Sequence, residues 1–205
     1  MKLSSLIRRI RVGPPIVVVS GLPRSGTSMM MRMLEAGGLR IVADGVREAD
    51  VSNPRGYFEL EAVKDLDKHG RPLPWLPEAR GRAVKIISFL LTWLPEDYDY
   101  LVIFMDRDLD EVLASQQQML ERRGEAPADA AREAAAMRAT YESHLAQVRR
   151  FLGVRPCFST LEVSYRDAVA DPAGTATRVT AFLGRRLDTA AMTQAVEASL
   201  YRNRG

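Results

Sequence analysis

The stretch IVVVSGLPRSGTSMMMRML, residues 16–34, decides the fold. Its first four residues are β-branched and apolar, which is typical of a strand buried in a parallel sheet. Gly21 and Gly26 bound a tight loop, and a helix of long apolar residues then begins at Thr27 or Ser28. In such an arrangement the loop N–H groups and the helix dipole converge on one point. The stretch therefore predicts an anion-binding loop.

The loop has the spacing of the phosphate loop of nucleotide triphosphatases, G-x-x-x-x-G-K-[ST], with one departure. Thr27 stands where that motif has Lys, and the cation lies inside the loop, at Arg24. Without the Lys, ATP or GTP chemistry is disfavoured, whereas a planar guanidinium suits a phosphate that carries a transferable group. A plain turn without a ligand is the alternative interpretation.

The loop sequence PRSGTS resembles the 5′-phosphosulfate loop of sulfotransferases that use 3′-phosphoadenosine 5′-phosphosulfate (PAPS). The Arg form is most similar to tyrosylprotein sulfotransferases and many bacterial members, because cytosolic sulfotransferases carry Lys at this place. The resemblance implies PAPS as the cofactor, with no metal ion. It also implies a set of loop residues that bind the donor: Pro23, Arg24, Ser25, Gly26, Thr27 and Ser28.

Composition indicates an ordinary globular protein. A length of 205 residues suits a single domain over residues 1–205, and the hydrophobic content of 46% allows a full core. The net charge of +3 is mild and spread along the chain, which argues against a nucleic-acid partner and fits a phosphate- or sulfate-bearing ligand. The single Cys157 excludes an intramolecular disulfide.

The N-terminal residues precede an apolar run that is too short for a signal peptide and has no cleavage pattern. No apolar stretch approaches the length of a membrane span. We therefore expect a cytoplasmic protein that does not bind membranes.

Predicted strands alternate with predicted helices, which indicates an α/β fold with three α/β/α layers, doubly wound around a central parallel sheet. The resemblance implies the P-loop NTPase-like fold of the sulfotransferases. The predicted strands are residues 16–19, 83–89, 100–105 and 157–163. The predicted helices are residues 27–36, 59–70, 109–123, 125–151, 172–183 and a C-terminal segment from 187, with loops at 39–56 and 71–82.

A second motif follows the third predicted strand. Arg107 lies at the strand end, Asp108 is a good N-cap with Glu111 as capping-box partner, and Ser115 follows on the helix. An Arg and a hydroxyl so placed can bind one phosphate from two sides, although each alone could be a solvated surface residue. Their spacing resembles the sulfotransferase motif for the ribose 3′-phosphate, which ATP lacks.

Two further segments resemble the family. Residues 163–184 are similar to the segment in which a Tyr at a strand end lies by the adenine ring, which makes Tyr165 the adenine candidate. An aromatic packed beneath a helix cap is the alternative. Arg202 and Arg204 resemble the late basic segment that contacts the 3′-phosphate, and a solvated C-terminus is the alternative there.

Sulfuryl transfer requires a cation at the leaving oxygen and a base for the acceptor proton. Arg24 meets the first need, and Lys85, a lysine within a predicted strand that requires a partner, is the second cation. A lysine that only reaches out to solvent from a strand edge is the alternative.

The base is less evident. Cytosolic sulfotransferases have a His where this chain has Ile87, and we expect His69 and His144 to be exposed bystanders. A carboxylate base, as in tyrosylprotein and some carbohydrate sulfotransferases, would come from residues 40–60. Glu59 and Glu48 are the candidates, with Asp44 behind them, and surface charge is the alternative for each.

The leading hypothesis is a PAPS-dependent sulfotransferase whose acceptor is a hydroxyl or amine of a small molecule, carbohydrate or peptide. One alternative is a P-loop small-molecule kinase, which would use ATP and Mg²⁺. Another is a non-catalytic nucleotide-binding protein of the same fold. The sequence leaves the acceptor and the oligomeric state open.

Overall fold

A five-stranded, wholly parallel sheet forms the centre of the molecule, with the strand order β2-β3-β1-β4-β5. The computed structural model describes residues 13–44, 58–68, 72–125 and 130–196. The strands are β1 (Ile16–Gly21), β2 (Ile41–Val42), β3 (Ala83–Lys85), β4 (Tyr100–Asp106) and β5 (Phe158–Ser164).

Helices connect the strands and cover both faces of the sheet. They are α1 (Thr27–Ala36), α2 (Trp75–Ala79), α3 (Leu109–Arg123), α4 (Ala130–Val154), α5 (Tyr165–Ala170), α6 (Pro172–Leu183) and α7 (Thr189–Gln194). Two 3-10 helices span Glu61–Asp65 and Ser88–Trp93. Among the described helices, none has the length and apolar composition that crossing a bilayer requires.

The strands are buried on both faces because their side chains alternate between two separate cores. Val18 and Val102 belong to the core that includes residues of α4, such as Leu145. Val19 and Ile103 point to the opposite core, which α1, α6 and α7 cover. The predicted α/β class and three-layer arrangement are thereby confirmed.

Several predicted boundaries were wrong. The predicted loop over residues 39–56 contains β2, and the predicted strand over residues 83–89 ends at Lys85. The apolar run continues past Lys85, but the chain turns into the 3-10 helix at Ser88, so hydrophobicity alone overextended the strand.

The helix boundaries also differ from the prediction. The predicted helix over residues 59–70 is the 3-10 helix Glu61–Asp65, and α2 lies in a segment predicted as loop. The long helix predicted from residue 125 is described from Ala130.

Parallel strands bring the predicted site residues to one edge of the sheet. Gly21 at the end of β1 pairs with Met105, and Asp106 at the end of β4 pairs with Ser164. The loop after β1, Arg107 after β4 and the start of α5 therefore lie together at the carboxyl edge, where α/β folds bind ligands.

Candidate active site

The loop after β1 requires glycine at Gly26. This residue has φ of 97°, and a Cβ there would lie 2.3 Å from Cδ2 of Tyr165. Helix α1 begins directly afterwards with no side-chain cap and no acidic residue in its first turn. The loop and the positive end of α1 thus have the geometry that an anion-binding cradle requires, and anion binding there stays a prediction.

The other loop residues are placed by local bonds. Both the N–H and the hydroxyl of Ser25 donate to the carbonyl of Leu22, at 3.2 and 2.7 Å. Pro23 lies in the turn before them, and Thr27 and Ser28 are the first residues of α1. Ser25 therefore fixes the shape of the loop. Direct contacts of these residues with PAPS stay predictions.

Arg24 is held in a left-handed backbone conformation, with φ of 70°. Its Nε donates to Oγ of Ser115 at 3.0 Å, and its carbonyl accepts a bond from Arg107 at 3.0 Å. A non-glycine residue in this region costs about 1 kcal/mol, which these contacts offset. The structure thus joins the loop cation to both residues predicted for the 3′-phosphate.

Arg107 is fixed by three neighbours. Besides the Arg24 carbonyl, its Nε donates to Oε2 of Glu111 at 2.9 Å, and its guanidinium carbon lies 4.4 Å from the ring centroid of Tyr165. Tyr165 is buried between this guanidinium and Gly26. The ring therefore supports the Arg, while its contact with adenine stays a prediction.

Lys85 is buried at the end of β3 and pairs with Glu59, since its Nζ lies 3.2 Å from Oε1 of that carboxylate. Asp44 is linked to the same place, because its N–H donates to the Glu59 carbonyl at 3.2 Å. Oδ2 of Asp44 also accepts a hydrogen bond from the N–H of Glu61 at 2.6 Å, at the first residue of the 3-10 helix. The structure thus brings Glu59, one of the carboxylate candidates, to Lys85.

Four of the residues considered from the sequence lie outside the described residues: Glu48, His69, Arg202 and Arg204. Their predicted roles stay predictions. Among the described residues, no group of three or more His, Cys, Asp or Glu side chains could hold a metal ion.

His144 is not the exposed residue that the sequence suggested. It is half-buried on α4, its Nε2 lies 2.9 Å from Oγ of Ser88, and its ring stacks on Phe89 with centroids 3.8 Å apart. Burial lowers the pKa of His144 below its ordinary value. The contact joins α4 to the segment that follows Lys85, and the sequence carried no signal for a pair so distant.

Sequence reasoning also missed the roles of Glu111 and Arg166. Glu111 is buried and pairs with Arg107, and its Oε1 lies 3.5 Å from a terminal nitrogen of Arg166. Arg107 lies just before α3 and four residues ahead of Glu111, and this spacing could have indicated their pair. Arg166 comes from another element, so spacing could not reveal it.

Comparisons with known proteins bear on the family and the fold of this chain. Residues 64–189 match the model of the sulfotransferase family, and no curated protein matches the sequence. Sulfotransferase STF1 from Mycobacterium tuberculosis is similar at 18% identity and a TM-score of 0.58, over 97% of this chain and 76% of its own.

Two further solved structures have the same fold. The sulfotransferase domain of the Synechococcus olefin synthase is 21% identical with a TM-score of 0.55, over 92% of this chain and 80% of its own. The sulfotransferase domain of the curacin biosynthetic pathway is 16% identical with a TM-score of 0.52, over 90% and 78%. The family model spans more than half of the sequence, and the chain belongs to the sulfotransferase family.

Proposed function

We propose that this protein transfers a sulfuryl group from PAPS to a hydroxyl or amine acceptor. One observation carries the proposal. Arg24, in the loop that resembles a 5′-phosphosulfate site, contacts both Arg107 and Ser115, which resemble a 3′-phosphate site. A nucleotide with phosphate groups at both the 5′ and the 3′ position of its ribose fits such a continuous cluster. ATP has no 3′-phosphate that Arg107 and Ser115 could bind.

The residues present fit PAPS. The loop and the uncapped start of α1 suit the 5′-phosphosulfate, and Arg24 adds a cation inside the loop. Arg107 and Ser115 supply a guanidinium and a hydroxyl for the 3′-phosphate. When bound, PAPS supplies the sulfuryl group, and adenosine 3′,5′-bisphosphate is the leaving group.

Charge develops at the leaving oxygen when the sulfur–oxygen bond to the nucleotide breaks and a bond to the acceptor forms. Arg24 stabilises that charge from the loop, and Lys85 adds a second positive charge at the end of the neighbouring strand. These two cations replace the metal ion that a kinase uses.

Glu59 accepts the proton that the acceptor oxygen or nitrogen loses. Its carboxylate lies against Lys85, so the base and a cation are held at the same point of the carboxyl edge. A base fixed in this way removes the acceptor proton as the new bond forms, an effect that typically contributes about 10²–10⁴-fold.

Transfer assays on the ion pair test this assignment. Wild type, Lys85→Ala and Glu59→Gln would be incubated with sulfur-labelled PAPS and a panel of phenols, alcohols, amines, sugars and a tyrosine peptide. We expect labelled product from wild type, and kcat lower by about 10²-fold or more in both variants. Lys64→Ala and Glu61→Gln are matched controls, because they change the same residue types in an exposed pair.

Each outcome decides between the hypotheses. Full kcat in Glu59→Gln would remove Glu59 as the base. Phosphate transfer from ATP with Mg²⁺, and none from PAPS, would support the kinase. Binding of adenosine 3′,5′-bisphosphate, without sulfuryl transfer from PAPS to any acceptor, would support the hypothesis of a non-catalytic nucleotide-binding protein.

A further inference from the structure

A buried carboxylate joins two guanidinium groups beside the cradle. Oε2 of Glu111 accepts from Nε of Arg107 at 2.9 Å, and Oε1 faces Arg166 at 3.5 Å. One carboxylate thus holds two arginines from different parts of the chain, one at each oxygen.

Local structure explains why these residues meet. Asp108 caps α3 by accepting bonds from the N–H groups of Asp110 and Glu111, which places Glu111 in the first turn. Ser164 caps α5 in the same way, and Arg166 is the second residue of that helix. Because Ser164 pairs with Asp106 across the sheet, the starts of α3 and α5 lie side by side.

The burial of the three side chains is unequal. Those of Glu111 and Arg107 are 5% and 8% exposed, whereas the Arg166 side chain is 71% exposed. The Glu111 carboxylate already has a buried partner in Arg107, and Arg166 reaches its other oxygen from the solvent side. The guanidinium of Arg166 is therefore exposed beside the buried guanidinium of Arg107.

We propose that Arg166 is a second guanidinium for the ribose 3′-phosphate and determines specificity for it, with Glu111 as the positioning residue for Arg107 and Arg166. This inference rests on the proposed use of PAPS. A phosphate monoester carries close to two negative charges and several acceptor oxygens, which two adjacent guanidinium groups match. The exposed Arg166 approaches from solvent, and the buried Arg107 from the side of the sheet.

Calorimetric titration tests this role with two nucleotides that differ only in the 3′-phosphate: adenosine 3′,5′-bisphosphate and adenosine 5′-monophosphate. The proteins are wild type, Arg166→Ala, Arg166→Lys and Arg186→Ala. Arg186 is a matched control, because it is exposed and adjoins Arg185, which bonds the Gly81 carbonyl before β3, at the opposite edge of the sheet.

For Arg166→Ala we expect about tenfold weaker binding of the bisphosphate, the usual effect of losing a charged hydrogen bond, and unchanged binding of the monophosphate. Arg166→Lys should restore part of the loss, since it keeps the charge but not the planar fork. Arg186→Ala should bind both nucleotides as wild type does. Thermal unfolding of each variant verifies that it is folded.

Two results overturn the inference: equal weakening of both nucleotides in Arg166→Ala, or no change in either. Failure of the proposed function would look different. In that case wild type itself would show no preference for the bisphosphate over the monophosphate, whatever residue stands at position 166.

Discussion

Arg107 shows how single residues prepare this site. Its guanidinium contacts the Glu111 carboxylate, the Tyr165 ring and the Arg24 carbonyl, which belong to three different segments. A side chain held from three sides loses little conformational entropy when an anion binds, so more of the interaction energy appears as affinity. The guanidinium of Arg107 is therefore preorganised for the anion that we propose it binds.

Glu111→Ala tests how much this arrangement contributes to stability. We expect the free energy of unfolding to fall by about 3 kcal/mol, because the buried guanidinium of Arg107 loses its carboxylate partner. Urea denaturation of wild type and variant measures the change.

Glu61→Ala is the control for that experiment, since it removes a carboxylate of the exposed pair with Lys64. Exposed pairs contribute little, so its effect should not exceed about 1 kcal/mol. If the two variants lose the same small amount of stability, Glu111 is not the anchor of Arg107.

At the scale of elements, the segment after β3 links the sheet to the long helix α4. Lys85 ends the strand, Ser88 begins the 3-10 helix, and His144 of α4 contacts Ser88 and stacks on Phe89. The neutral imidazole fits this contact, because burial lowers the pKa of His144. The stability that this contact contributes should therefore depend on pH.

The sign of that response follows from proton binding. The unfolded chain, with an ordinary His pKa of 6.5, binds a proton at a higher pH than folded His144 does. The contribution of His144 is therefore fully present above pH 6.5 and is lost as the pH falls through the lower, folded pKa. We expect the free energy of unfolding to decrease on acidification in this window.

Urea denaturation at pH 7.5 and 5.5, on wild type and His144→Gln, measures this response. The variant should lose less stability than wild type between the two pH values, because it has no imidazole to protonate at this contact. An identical pH dependence in both proteins would show that His144 does not carry it.

At the scale of the whole molecule, local patterns predicted more than distant contacts. The loop around Arg24 and the start of α3 were predictable because their residues are neighbours in sequence. The pairing of Lys85 with Glu59 could only be anticipated as a need for some partner, since the two residues are 26 apart in the chain. Arg166 and His144 contact residues that are distant in the sequence, and no spacing rule indicates such contacts.

The strands show the same limit. β1 and β4 each contain a continuous run of apolar residues and were predicted nearly to their ends. β2 has two residues, too few for a periodic pattern, and β3 stops within an apolar run because the chain turns to place Ser88 against α4. Short strands depend on their neighbours in the sheet, and the site at the carboxyl edge depends on that assembly.

The most direct measurement for the central claim is calorimetric binding of adenosine 3′,5′-bisphosphate, beside ATP with Mg²⁺, to wild type and Arg107→Ala. We expect micromolar binding of the bisphosphate to wild type, and affinity at least about tenfold lower in a variant that circular dichroism shows to be folded. Tight binding of ATP with no response to the 3′-phosphate would contradict the account and favour the kinase.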